Sequence, residues 1–480
     1  MAKNKYYLTT AIPYVNAKPH IGFALELVQT DVIARQKRQD GADVFFLTGT
    51  DDNSLKNVQA AEKAGLPTKD FVDQNASIFQ KLTKDLNVSN DAFMRTASED
   101  HFKGAQKLWS ACDPDDIYKK RYKGLYCVGC EVFYNESELI DGRCPEHHTV
   151  PEEVEEENYF FKLSKYQDKL ERLIADDVYH VVPDSRKKEI LSFIRMGLQD
   201  FSISRSVARA KNWGVPVPGD PSQIMYVWFD ALSNYMTALG YAENSAQFKK
   251  YWPADLHVIG KGIIRFHAVY WPAMLLSAGI PLPKKLFVHG YVSVGGEKMS
   301  KSLGNVVDPF ELVEKYGVDA VRFYLLKHMH PFEDSDFTIV KFEEAYNADL
   351  ANGLGNLIAR VTNMIEKYMG GTLPHELRLI HEFQSKVRFF IEQLAFRGAL
   401  QEVWLAIQDC DELIDKEKPW ALFKNDTKRA ENILEDLAVR LYNISVALRP
   451  FMPETAEKIE KALTVKPIVK YSGLFARIDS

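Results

Sequence analysis

Tyr6-Tyr7-Leu8-Thr9-Thr10-Ala11-Ile12-Pro13, followed by Asn16-Ala17-Lys18-Pro19-His20-Ile21-Gly22-Phe23, is the stretch from which the fold is read. Aromatic and β-branched residues over 6–12 predict a buried strand, and Pro13, which has no N–H to give a ladder, ends it. An amphipathic pattern from 21 to about 38 predicts a helix. Beyond it, Asp43-Val44-Phe45-Phe46-Leu47-Thr48-Gly49-Thr50 is a second apolar strand that runs into Asp51-Asp52. This βαβ unit predicts a Rossmann-like parallel sheet, in which ligands bind at the carboxyl ends of the strands. A helix starting there turns its first N–H groups toward an anion, and His20 adds a side-chain donor at the same end.

Far downstream, Lys298-Met299-Ser300-Lys301-Ser302 lies between Gly295-Gly296-Glu297 and Gly304-Asn305. Two lysines and two hydroxyls on a glycine-flanked loop suit closure over a polyphosphate, because lysine is a mobile point charge with three donors. Read alone, the same letters fit a solvated surface loop.

The 480 residues exceed one compact core, so two to four modules are expected. The reading divides them into the first half of the parallel-sheet domain (1–116), an insertion (117–210) and the second half of that domain (211–290). A region that carries the lysine loop (291–345) and a helical domain (346–480) follow. The apolar fraction of 46% and charged fraction of 26% are those of an ordinary globular chain. No long apolar run or leader pattern is present, so the expectation is a cytoplasmic protein without a membrane partner. A net charge of −6 argues against a broad basic face, so any RNA contact should be local.

Cys127-Val128-Gly129-Cys130 and Cys144-Pro145-Glu146-His147 stand 13 residues apart and together offer four ligands for tetrahedral zinc. A redox pair would leave Cys144 and His147 unexplained, and His148 competes with His147 for the fourth position. With all four positions filled by protein, one structural zinc per chain is expected. Cys112 and Cys410 read as ordinary buried thiols, and the acidic run over 152–157 reads as a solvated face.

From about residue 346 the apolar spacing becomes helical over 350–369, 384–400, 401–417 and 428–448, which predicts an α-helical bundle. Asn352, Asn356 and Arg360 recur every four residues and share one helix face, while Trp420 follows Lys418-Pro419. Amides read base edges and an indole can stack on a base; a plain polar face and a buried tryptophan are the alternative.

The two motifs around His20 and Lys301 resemble the HIGH and KMSKS signatures of class I aminoacyl-tRNA synthetases. Tyr226-Val227-Trp228-Phe229-Asp230-Ala231, Gly260-Lys261-Gly262-Ile263, Phe266-His267-Ala268-Val269-Tyr270-Trp271-Pro272 and Val288-His289-Gly290-Tyr291 extend the resemblance to the methionyl-tRNA synthetases in order and spacing. The resemblance implies ATP-dependent activation of L-methionine to methionyl-adenylate and transfer to methionine tRNA, the initiator included. It implies ATP binding by His20, Gly22, Lys298, Ser300 and Lys301, with His20, Lys298 and Lys301 catalytic and Mg²⁺ accompanying ATP. Ile12, Tyr14, Trp228, Ala231, Tyr235 and His267 would surround the methionine side chain, with Asp51 on its ammonium. Taken one by one, Trp228 and Tyr235 read as core aromatics, and the pocket follows from the resemblance alone. Asn352, Asn356, Arg360 and Trp420 would read a CAU anticodon, and the zinc knuckle at Cys127, Cys130, Cys144 and His147 also matches the family. A monomer is expected, because the extra C-terminal barrel of many relatives is not in the sequence.

The chain departs from the family pattern at Phe23, where a second histidine is usual, and at Asn53 and Ser54, where a histidine and a glycine are common. It departs again at Gly262, which replaces a frequent aspartate. These departures bear on the rate of adenylate formation. They keep two other readings open: a class I enzyme for another apolar amino acid, and a tRNA-binding protein with little turnover. The expected architecture is thus α/β, a Rossmann-like parallel-sheet catalytic domain with a zinc-knuckle insertion, followed by an α-helical bundle domain.

Overall fold

The computed structural model describes residues 4–129, 132–134, 136–145, 148–298 and 306–478. Its central sheet has six strands: β1 Lys5–Thr9, β2 Asp43–Thr50, β3 Ala92–Arg95, β4 His180–Val182, β5 Leu256–Gly260 and β6 Lys285–His289. They run in the order β3-β2-β1-β5-β6-β4, every pair parallel. Leu8 faces Phe46 on one side and Leu256 on the other, which fixes the register. Leu8, Phe46, Val258 and Phe287 are fully buried, as expected of parallel strands covered on both faces. Chain order reverses between β1 and β5, so the ligand crevice of such a sheet opens at their carboxyl ends. Strand β1 stops at Thr9, three residues earlier than the apolar pattern predicted. Past it the Thr10 N–H still bonds the Leu47 carbonyl at 3.1 Å, while the Thr10 hydroxyl lies 2.8 Å from the Ala11 carbonyl and 2.7 Å from the Thr48 hydroxyl.

The chain separates into two compact units. The first takes the described residues up to Pro19 with Gly41–Lys84 and Ser89–His289; the second takes His20–Asp40, Asp85–Val88 and the described residues from Gly290 on. The segment 117–210, expected as a separate insertion, folds a four-stranded antiparallel sheet in the order Val132–Tyr134, Ile117–Cys127, Glu152–Phe161, Phe201–Ser202. It also supplies β4 of the central sheet, paired with β6. Its acidic run is not a bare solvated face. Glu155 lies opposite Lys123 across the ladder, Lys123 pairs with Glu153, and Arg121 reaches Glu155 at 3.6 Å.

In the second unit, the segments 291–345 and 346–480, expected as separate regions, fall together. Its helices include Ile21–Gln39, Val318–Lys327, Asn356–Met369, His381–Glu392, Phe396–Glu417, Thr427–Leu448 and Pro453–Thr464. Two expectations are corrected. The first helix is buried nearly all round rather than amphipathic, taking Glu26, Gln29, Thr30 and Asp31 inside. Asp31 meets Arg322 at 2.7 Å, both wholly buried, and Arg322 also donates to the carbonyls of Leu86, Pro450 and Phe451. That saturation is what lets a charged pair sit in a core. The helices predicted to meet at 400/401 instead break before Phe396, where Leu394 turns left-handed (φ 58°) and Ala395 N–H bonds back to Phe390. Apolar spacing runs straight through that break, so periodicity alone does not register it. Among the described residues, no helix is long and apolar enough to cross a membrane.

Candidate functional site

Just past β1 and β2 the backbones of Tyr14 and Asp51 pair as a parallel bridge, and Asp51 N–H donates to the Pro13 carbonyl at 2.9 Å. Asp51 therefore sits at the carboxyl edge of the sheet, only 2% exposed. Its Oδ1 accepts the Asn53 N–H at 3.1 Å and the Thr96 hydroxyl at 3.2 Å. Thr96 itself accepts the Asp52 N–H at 2.7 Å, which commits its own proton to Asp51. Asp52 points elsewhere, to Arg95 at 2.9 Å; burial raises its pKa and the guanidinium opposes that shift.

The aromatic wall is built by two further segments. Trp228, on the short helix Val227–Leu232, stacks on Phe266 with centroids 3.7 Å apart and stands edge-on to Tyr14 (6.5 Å) and His267 (6.3 Å). The Tyr235 hydroxyl bonds to His267 Nε2 at 2.7 Å, while His267 Nδ1 meets the Ile263 carbonyl at 3.0 Å. A carbonyl only accepts, so the proton is on Nδ1, and Nε2 accepts from the tyrosine. Burial pushes the His267 pKa down to about 4, with the Ile263 carbonyl opposing, so the ring is neutral at physiological pH. Tyr235 is buried as a core aromatic would be, whereas Trp228 keeps part of its surface open. Ala231 is buried one turn along from Trp228, and Ile12 lies half-buried between β1 and Tyr14. Tyr14, Asp51, Trp228, Tyr235 and His267 thus form one connected set.

Sequence reasoning missed what stands behind Asp51. The Asn53 amide donates to Asp230 Oδ2 at 2.7 Å and to the Thr96 carbonyl at 3.0 Å. His101 holds the other Asp230 oxygen at 2.5 Å and reaches the Thr237 hydroxyl at 2.9 Å with its second nitrogen. The one signal available was Asn53 itself, a polar side chain out of pattern beside Asp51.

In the second unit, His20 precedes the helix Ile21–Gln39, and its Nδ1 accepts the Gly22 N–H at 3.0 Å. The proton of the neutral ring is then on Nε2, which is the donor His20 presents. Its edge is exposed, yet surrounding protein desolvates the ring and lowers its pKa. The expected row of backbone donors at this helix start is already engaged. Ile21 N–H goes to the Val307 carbonyl, Gly22 to the His20 ring, and Phe23 and Ala24 to the His20 carbonyl. An anion here would be met first by the imidazole. Met299, Ser300, Lys301 and Ser302 lie outside the described residues, and Lys298 closes the strand Glu297–Lys298. Gly295 and Gly296, both with positive φ, make the two-residue turn into that strand, and Asp336 caps the Gly296 N–H at 2.7 Å.

On the bundle, Asn352 lies in a wide-turn i→i+5 helix, Tyr346–Gly355, which passes into the α-helix Asn356–Met369. Both asparagines are exposed. Arg360 is half-buried and held by Asp411 at 2.9 Å and Asp415 at 2.8 Å. Trp420 is 40% exposed, so the reading of it as a buried tryptophan is set aside.

Residues 6–152 and 147–362 match the family model described as tRNA synthetases class I (M). Residues 368–472 match the anticodon binding domain of methionyl tRNA ligase. The chain belongs to the methionyl-tRNA ligase family. It is an aminoacyl-tRNA synthetase, an enzyme that joins methionine to tRNA. Among its relatives, the methionine–tRNA ligase of Brucella suis biovar 1 is 44% identical, with 97% of this chain and 93% of that one covered. That of Caldanaerobacter subterraneus is 43% identical over 96% of this chain and 74% of its own. The Mycobacterium tuberculosis methionyl-tRNA synthetase in complex with methionyl-adenylate superposes with a TM-score of 0.88 at 42% identity, covering 95% of this chain and 93% of that chain.

Two of the four expected metal ligands, Cys127 and Cys144, lie among the described residues. Cys127 and Cys144 are both buried and both lie against Thr149: Cys144 N–H donates to its carbonyl at 2.9 Å, and Cys127 Sγ is 3.7 Å from its hydroxyl. Cys144 reaches Thr149 through its backbone while its Sγ lies 3.6 Å from the Tyr134 hydroxyl, and among the described residues no three His, Cys, Asp or Glu side chains gather as a metal site. Cys130 and His147 lie outside the described residues, and His148 is exposed. Gly262 stands exposed in the turn Lys261–Ile263 after β5, with no side chain to offer a nucleotide, and Phe23 is buried.

Proposed function

We propose that the pocket around Asp51 holds L-methionine, with the carboxylate of Asp51 on the substrate ammonium. Ile12, Tyr14, Trp228, Ala231, Tyr235 and His267 then surround the thioether. The observation that carries this reading is a buried carboxylate, fixed by two donors, beside an aromatic wall whose histidine is neutral. A flexible, polarisable side chain favours sulfur–aromatic contacts, and a neutral wall does not repel the ammonium. Such a pocket discriminates by only about 1–3 kcal/mol per methylene, so rejection of homocysteine calls for a separate editing reaction.

In the first step the methionine carboxylate attacks the α-phosphate of ATP and pyrophosphate leaves; in the second, the terminal ribose hydroxyl of the tRNA attacks the acyl carbon of the adenylate, the acyl–phosphate bond breaks and AMP leaves. No protein nucleophile is needed, so positioning and charge stabilisation carry the rate. His20, through Nε2–H, and Ser300 hold ATP phosphates, Gly22 orients the His20 ring through its N–H, and Lys298 and Lys301 stabilise the departing pyrophosphate. Mg²⁺ would supply charge neutralisation on the phosphates. Cys127, Cys130, Cys144 and His147 would hold one structural zinc, which would pin the hairpin that carries them. Asn352, Asn356, Arg360 and Trp420 read the CAU anticodon of methionine tRNAs, the initiator included, and the enzyme works in the cytoplasm, where ATP and tRNA meet.

The test is amino-acid-dependent exchange of pyrophosphate into ATP across the standard amino acids. Exchange with methionine alone is the expected result; exchange with another amino acid redirects the pocket assignment. Lys301→Ala should cut the exchange rate by about 10²-fold, the scale of one transition-state donor. An unchanged rate removes that role.

A further inference from the structure

Asn53 occupies a position that neither strand nor pocket requires to be polar, yet its side chain is buried and its amide nitrogen donates to two acceptors, while Oδ1 has no partner among the described residues. Its backbone N–H holds Asp51, and its amide holds Asp230. Asp230 sits on the short helix Val227–Leu232, two residues after Trp228 and one before Ala231. Two hydrogen bonds, 3.1 and 2.7 Å, therefore connect the carboxylate of Asp51 with the helix that carries the side-chain wall. His101 completes the arrangement by holding the second Asp230 oxygen, and Thr237 holds His101. A buried carboxylate and amide are costly to desolvate, and an apolar pair of the same volume would pack the spot with less penalty. What the polar pair adds is direction, since hydrogen bonds fix angles that van der Waals contacts leave loose.

We propose that Asn53 and Asp230 are positioning residues that lock the ammonium anchor Asp51 in register with the Trp228–Ala231 wall. The charged head and the side chain of one amino acid are thereby read as a unit. The inference rests on Asp51 being the ammonium anchor. Its consequence is selective: disturbing the joint moves Asp51 and weakens methionine binding, while ATP binding, which uses other groups, is untouched.

The test is pyrophosphate exchange by the full chain carrying Asn53→Ala, with Asp51→Asn alongside. For Asn53→Ala the KM for methionine should rise about 10-fold or more, the weight of one charge-assisted hydrogen bond, with the KM for ATP within about 2-fold of the parent. Inhibition by 4-(methylthio)butanoate, which keeps the thioether and carboxylate but lacks the ammonium, should be unaltered. A parallel rise in both KM values together with a lowered melting temperature would mean a merely structural role and overturn the proposal. An unchanged methionine KM would overturn it as well. Should Asn53→Ala not fold, Asp230→Asn asks the same question at constant volume, because an amide cannot accept from His101 and Asn53 with a full charge. If Asp51→Asn leaves methionine binding intact, the anchor reading itself fails. If Asp51→Asn is damaging and Asn53→Ala is not, only the joint fails.

Discussion

The pocket around Asp51 and the outer face of the helical bundle use the same residue types to opposite ends. Around Asp51, an asparagine, a threonine, a histidine and a second aspartate are buried and spend their hydrogen bonds on one another. On the bundle, Asn352 and Asn356 face solvent, and Arg360 is held only by carboxylates at its own surface. A small ligand must meet groups already fixed in place, because the entropy of fixing them would otherwise be lost on binding. Single-stranded RNA brings its own bases to a surface and needs donors that can be reached. Buried polar groups here should therefore govern stability and geometry together, while exposed ones should govern recognition alone.

The sharpest form of that contrast lies within the second unit, between two arginines. Arg322 is wholly buried, paired with Asp31 and bonded to three carbonyl groups. Arg322→Ala leaves the buried Asp31 to Arg35, 2.7 Å away, strips the donor from three carbonyls, and should cost about 3–5 kcal/mol in urea unfolding. Arg360→Ala breaks two partly exposed pairs and should cost about 1 kcal/mol or less. Comparable losses in the two variants would erase the distinction.

A second effect, of about 2 kcal/mol, belongs to the pocket. His267 has a folded pKa of about 4 against 6.5 for the free side chain. As pH falls, the unfolded chain binds the proton first, so this contribution to stability is intact above about 6.5 and drains away toward 4. At pH 5 the loss from His267 is roughly 2 kcal/mol relative to pH 7. His20 and His257 are lowered by burial too and act in the same direction. His267→Gln should flatten the dependence of unfolding free energy on pH between 7 and 5, whatever it does to activity. An undiminished slope would mean that His267 is charged inside the fold or that another group dominates.

How much of this was legible differs between the two regions for a physical reason. The apolar strands at 6–12 and 43–50 announced a parallel sheet, because short-range periodicity is written into consecutive residues. Asp51 could be read from its place at a strand end. Thr96, His101 and Asp230 could not be joined to it, because Thr96 and Asp51 are 45 residues apart and Asn53 and Asp230 are 177 apart, and only the folded sheet brings them together. The reading of helix 21–39 as amphipathic failed because Asp31 and Glu26 look solvent-seeking until a buried Arg322 is known to meet Asp31. The bundle face was legible in part. Helical spacing read the exposure of Asn352 and Asn356, but not the wide turn that carries Asn352 or the hold of Asp411 and Asp415 on Arg360, which comes from another helix.

The exposed bundle face sets the smallest and most selective prediction. Trp420 is 40% exposed at the start of the short helix Pro419–Leu422, just after Lys418 in a left-handed conformation. Its indole shields little of the core, so Trp420→Ala should shift the melting temperature by no more than about 1–2 °C, as surface substitutions do. Stacking of a base on an indole contributes about 1–3 kcal/mol, so kcat/KM for tRNA charging should fall roughly ten-fold or more. Methionine-dependent pyrophosphate exchange, which involves no tRNA, should stay at the parent rate. Loss of exchange to the same degree would mean that Trp420 supports the fold and not the RNA. An unchanged charging rate would move anticodon recognition onto Asn352, Asn356 and Arg360 alone, and the exposed indole would then be an ordinary surface aromatic.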